Sequence, residues 1–97
     1  MRTIWKYIIP MEETFEIEMP SDREFLSLDV QGGFPHMWVA VDPDSGTFVR
    51  KFHLVGTGNP IPEETQIHHE LVFRGSFQMT GGAFVFHVFE EVIRASR

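Results

Sequence analysis

Gly32-Gly33 and Gly81-Gly82 each stand between two runs that alternate apolar with polar residues, and no other feature restricts the fold so strongly. Both central positions of a type I′ turn need positive φ, which glycine adopts without strain, so each pair reads as the tip of a β-hairpin. Setting Gln31 opposite Phe34 pairs Leu28 with Met37, Leu26 with Val39 and Val30 with Pro35, all apolar. The other face then carries Asp29 with His36 and Ser27 with Trp38, and Trp38 is its natural anchor. Setting Thr80 opposite Ala83 pairs Met79 with Phe84, Phe77 with Phe86 and Gly75 with Val88. Behind them Gln78 meets Val85, Ser76 meets His87, and Arg74 meets Phe89, where a cation can lie over an aromatic ring.

The remaining segments extend the pattern. Thr3 to Ile9 alternates up to Pro10, and Phe15 to Met19 alternates up to Pro20. Glu12, Glu13, Glu16 and Glu18 mark this second strand as a solvated edge whose charge blocks further pairing. Asp42-Pro43-Asp44-Ser45-Gly46 carries the chemistry of a turn, so strands around 24 to 31, 34 to 42 and 47 to 55 are expected to form a meander. In the third of these Phe48, Phe52 and Leu54 share one parity with Arg50, a misfit that a bulge near Arg50 would resolve. Glu63 to Glu70 is polar and suits one short helical turn; Glu90 to Arg94 either prolongs the last strand or frays into a helical end. Together these runs predict an all-β, single-domain antiparallel sandwich or partly open barrel of about seven short strands over residues 1–97.

The strand from Phe48 stops at Gly56-Thr57-Gly58-Asn59-Pro60-Ile61-Pro62. Two prolines there remove donors and push their predecessors toward extended geometry, so no helix can begin behind the glycines and a phosphate cradle is excluded. The segment reads as a rigid crossover loop, or as a loop shaped for a partner.

Composition limits what such a domain can do. Hydrophobic residues make up 42% of the 97 and ten are Phe, enough for a core without staples. The absence of cysteine removes disulfides, thiol catalysis and Cys-based zinc sites together, and fits a reducing, cytoplasmic setting. No apolar run reaches the roughly 18 residues that span a bilayer, and Met1 to Lys6 lacks a signal-peptide core. A net charge of −6 argues against nucleic acid, whose phosphates want clustered Lys and Arg.

Chemistry is sparse. Among the five histidines only His68 and His69 are adjacent, and neighbours on a strand point apart, so no metal site is expected. Ser76, His87 and Asp29 could be assembled into a catalytic triad, yet no strained nucleophile turn accompanies them. Neither catalysis nor a cofactor is expected. The segments Ile4-Trp5-Lys6-Tyr7, Trp38-Val39-Ala40-Val41-Asp42-Pro43, Gly56 to Pro62 and Gly82 to Glu90 resemble a family of small uncharacterised proteins from phages, prophages and bacteria, over nearly the whole chain. The resemblance implies an accessory protein and carries no catalytic residue.

Two roles are expected on these grounds. The first is a protein-interaction module that binds or inhibits a host protein through Gly56, Thr57, Gly58, Asn59 and Pro60 with Trp38, His87, Phe89 and Arg74. The alternative is a small-ligand binder for a metabolite or nucleotide, with Trp5, Trp38 or His87 for stacking. Phe84, Val85, Phe86, Val88 and Phe89 are apolar on both sides of one strand, which favours a homodimer that buries the Val85 and Phe89 side.

Overall fold

Seven strands form in the computed structural model of the chain, which describes residues 1–63 and 69–93. They are β1 Thr3–Ile8, β2 Thr14–Pro20, β3 Arg23–Gln31, β4 Phe34–Val41, β5 Thr47–Gly56, β6 His69–Met79 and β7 Phe84–Ile93. β7 therefore runs on through Glu90 and Glu91 to Ile93 as strand. The one helical turn expected between Glu63 and Glu70 falls largely outside the described residues. No helix among those described is long and apolar enough to cross a membrane.

The strands divide into a three-stranded sheet of order β1-β4-β3 and a four-stranded sheet of order β2-β5-β7-β6, every neighbour antiparallel. The result is a sandwich, one of the two architectures expected, rather than a closed barrel. Alternation drives the two sheets together, because each can bury only one face and the other sheet supplies the cover. Between them lie Phe15, Met19, Met37, Val39, Val41, Phe52, Phe77 and Val88. Phe52 is the hub, with Phe15 stacked on it at 5.2 Å and Phe25 edge-on at 6.1 Å.

Both glycine hairpins form with the expected tips, Gln31 opposite Phe34 and Met79 opposite Phe84. β2 is an edge strand with Glu16 and Glu18 exposed, as its acidic residues require. The meander is corrected. β4 already has β1 on one side and β3 on the other, so β5 has no free edge there and crosses to the second sheet, beside β2 and β7. The crossing is held where two sheet-changing corners run side by side: Ser21 N donates to Gly46 O at 2.8 Å and Asp42 N to Asp22 O at 3.0 Å. The bulge expected near Arg50 is also absent. β2 and β5 pair without a slip from Thr14 opposite His53 to Pro20 opposite Thr47, and Arg50 keeps its place on the inner face opposite Ile17.

Candidate functional site

Two register slips occur in the sheets, one at Leu26 between Phe25 and Ser27, the other at Arg74 between Phe73 and Gly75. A one-residue slip exchanges the faces of everything beyond it. Had β3 continued in register from Ser27 opposite Trp38, Leu26 and Glu24 would face the core strand residues Val39 and Val41; instead Phe25 and Arg23 take those places. Had β6 continued from Gly75 opposite Val88, Arg74 would stand opposite Phe89 on the outer face; instead Phe73 does, and Arg74 swings inward. The expected pairings of Leu26 with Val39 and of Arg74 with Phe89 are thereby corrected. Each slip sends one arginine into the space between the sheets.

What they meet there is Glu90, which has no solvent exposure. Arg23 Nη2 donates to Glu90 Oε2. Arg50 Nε donates to the same oxygen at 2.5 Å, and Arg74 reaches Oε1 with Nε at 2.9 Å and Nη2 at 2.8 Å. Arg50 Nη2 is also 3.4 Å from the Glu91 carbonyl. The Arg74 guanidinium lies 4.6 Å from the centre of the Phe25 ring, so the cation over an aromatic ring exists but on Phe25 rather than on Phe89. Burial alone would push the Glu90 carboxyl up, but hydrogen bonds from Arg23 and Arg50 and the charges of Arg23 and Arg74 outweigh it and hold the carboxyl below the usual range.

A pH dependence follows from that direction. A native carboxyl below its unfolded value adds stability that is complete above the ordinary carboxylate range and lost as pH falls through the native value. Urea midpoints of wild type and Glu90→Gln are expected to differ widely at about pH 7 and to converge toward about pH 2, where both carry a neutral side chain. A gap that stays constant over this range would contradict the assignment.

Three guanidiniums converge on the single carboxylate of Glu90, in a chain of net charge −6, while Arg2 beside them is shared by Asp22 and Glu24. Arg23 Nε is buried with no hydrogen-bond partner. In front of the cluster opens a cavity of about 410 Å³, walled by Arg23, Glu24 and Phe25 of β3 and by Phe73 and Arg74 of β6. The Glu24 carboxylate on this wall is held by Arg2 Nη1 at 3.0 Å. Gly75, at φ 147°, allows the two walls to approach, because Leu28 of β3 packs where its side chain would be.

The residues expected to form one binding face are dispersed. Trp38 lies on the outer face of the three-stranded sheet, beside Ile4 and Leu26. Phe89 packs on Phe73 across the outer face of the other sheet, with ring centres 5.5 Å apart. Only the loop and His87 come together. Thr57 Oγ1 is 2.8 Å from His87 Nε2 and donates to the Val85 carbonyl at 3.2 Å, while Ser76 Oγ is 2.7 Å from His87 Nδ1. Gly56 ends β5, Gly58 takes φ 91°, and Asn59 N closes the turn onto Gly56 O at 3.0 Å. Gly56, Asn59 and Pro60 line a second cavity, of about 740 Å³, in which the carboxylates among the described residues are Glu12 and Glu13. Asp29 sits on the three-stranded sheet opposite His36, so it does not stand behind the Ser76 and His87 pair. Among the described residues no group of three His, Cys, Asp or Glu is placed to hold a metal.

A family model described as a domain of unknown function (DUF7352) matches residues 1–96. No curated protein and no solved structure matches the chain.

Proposed function

The chain belongs to the DUF7352 family, and we propose that it is a non-catalytic binding module that captures a small ligand by an anionic group, phosphate or carboxylate, between Arg23 and Arg74. One observation carries this reading: three arginines, two of them turned inward by bulges, converge on a single carboxylate and leave Arg23 Nε buried without an acceptor. Extra like charges raise the energy of the empty site, whereas a bound anion offsets it. The acidic remainder of the chain repels anions, so a local positive cleft is what would let one approach. The lack of cysteine fits a cytoplasmic setting.

Thermal unfolding with inorganic pyrophosphate at low salt tests the reading. A ligand bound only by the folded state stabilises it by about 2.7 kcal/mol at a hundred times its Kd, so the wild-type Tm should climb with concentration while Arg23→Met, measured against its own baseline, should not respond. An unresponsive wild type, or an equal response in the variant, would overturn it. A second reading, a protein-docking face, is favoured by Ile4 and Leu26, exposed around Trp38 on the three-stranded sheet. Light scattering at micromolar concentration reads whether a second copy is the occupant.

A further inference from the structure

We infer that the open edge of β1 is a surface for self-association, on which a second copy of this chain lays its own β1 antiparallel about a two-fold axis and so joins two three-stranded sheets into one. The observation is which backbone groups that edge leaves unused. Ile9 N donates to Pro35 O at 2.9 Å, which makes Ile9 and Pro35 a hydrogen-bonded pair. Such pairs alternate along an antiparallel ladder, so Tyr7, Trp5 and Thr3 direct their N–H and C=O to Met37, Val39 and Val41 of β4. The N–H and C=O of Ile4, Lys6 and Ile8 point the other way, where no strand lies among the described residues.

The other three sheet edges are guarded. β2 carries Glu16 and Glu18 and ends at Pro20; β3 is bent by its slip, and Asp29 Oδ1 accepts from the edge-facing Val30 N–H at 2.8 Å; β6 is bent at Arg74. β1 has neither proline nor slip, and its one charge, Lys6 Nζ, is turned across the sheet to Gln31 Oε1 at 2.7 Å. Ile4 and Ile8 are exposed on its outer side, and Trp5, opposite the fully buried Val39, is still 40% exposed, so the second sheet does not cover this edge. Another β1 is the occupant these groups fit. An axis at Trp5 sets Ile4 opposite the partner's Lys6, so that the free N–H and C=O of each meet those of the other, and it brings the two Trp5 side chains together in a non-hydrogen-bonded pair, where side chains approach most closely. An axis at Lys6 would oppose like charges. The surface is distinct from the Val85 and Phe89 side of β7, a strand whose two edges are taken by β5 and β6.

Sedimentation equilibrium and amide hydrogen exchange over a concentration series decide the matter. The expected wild-type mass rises toward that of two chains, and as it does the Ile4 and Lys6 amides slow, whereas the Trp5 and Tyr7 amides, bonded to β4, are protected at every concentration. Lys6→Pro removes one outward N–H and no bond to β4, and Ile4→Lys adds a charge at an exposed position, so the second variant folds even if the first does not. Each folded variant should dimerise about tenfold or more weakly. A wild type still monomeric at about 1 mM would overturn the inference and leave the edge to a foreign strand. A dimer as tight in Ile4→Lys as in wild type, with the Ile4 and Lys6 amides still exchanging freely, would overturn it by placing the interface elsewhere.

Discussion

Replacing Glu90 with glutamine is expected to remove about 3–5 kcal/mol of stability, the range found when one partner of a buried ion pair is taken away. Glutamine keeps the shape and one acceptor, but it leaves Arg23, Arg50 and Arg74 facing one another in a space whose centre is closed to solvent. For a domain of roughly this size each kcal/mol moves Tm by about 4–8 °C, so the fall should exceed about 10 °C. The effect belongs to the charge rather than to packing. Arg50→Met, costly in wild type, should therefore cost less in the Glu90→Gln background, with a coupling of roughly 0.5–3 kcal/mol. A loss under about 1 kcal/mol for Glu90→Gln would show that water reaches the cluster and screens it.

Gly75→Ala should cost about 2–5 kcal/mol, for two separable reasons. Its φ of 147° is a backbone conformation that residues with a Cβ rarely adopt, and the added methyl would lie 2.9 Å from Leu28 Cδ1 and 3.3 Å from Cδ2. Leucine ends can move, so the steric part is the smaller, and Leu28→Ala should recover it without recovering the backbone part. Chemical denaturation of the two single variants and the double variant separates them. A Gly75→Ala protein as stable as wild type would mean that β6 does not approach β3 at this point, and the cleft walls would then lie farther apart.

The hairpins were legible because turn and pattern agree. At Gly81-Gly82 and Gly32-Gly33 the glycines require the turn, and the register they impose pairs apolar with apolar. The change of sheet between β4 and β5 was not legible, since a turn at Asp42 to Gly46 is equally compatible with a hairpin. What rules the hairpin out is β1, 38 residues away in sequence at Thr3 opposite Val41, which occupies the edge β5 would need. The bulges escaped for a related reason. Leu26 fits an inward position better than Phe25 only while Glu24 and Arg23 are left out of the comparison. Once Glu90 lies opposite, Arg23 is the residue that must face in.

A signal for the cluster was nevertheless present. Arg50 shares its parity with Phe48, Phe52 and Leu54, and Glu90 shares its parity with Phe84, Phe86 and Val88. Two inward positions of opposite charge on strands that prove to be neighbours are a buried pair, not two defects needing bulges. Phe52 stands directly opposite Glu90, two positions along from Arg50. Arg23 and Arg74 could not be read in the same way, because regular alternation places both outside.

The resonances of the arginine Nε–H groups test the central claim most directly. In a ¹H–¹⁵N spectrum recorded during titration with inorganic pyrophosphate, Arg23 Nε–H, buried without an acceptor, should move furthest and saturate with the binding curve. Arg50 Nε–H, already bonded to Glu90 behind the cleft, should stay nearly still. If Arg23 does not move, or if all the arginines drift together in proportion to ionic strength, the cleft is not an anion site and the three arginines serve Glu90 alone.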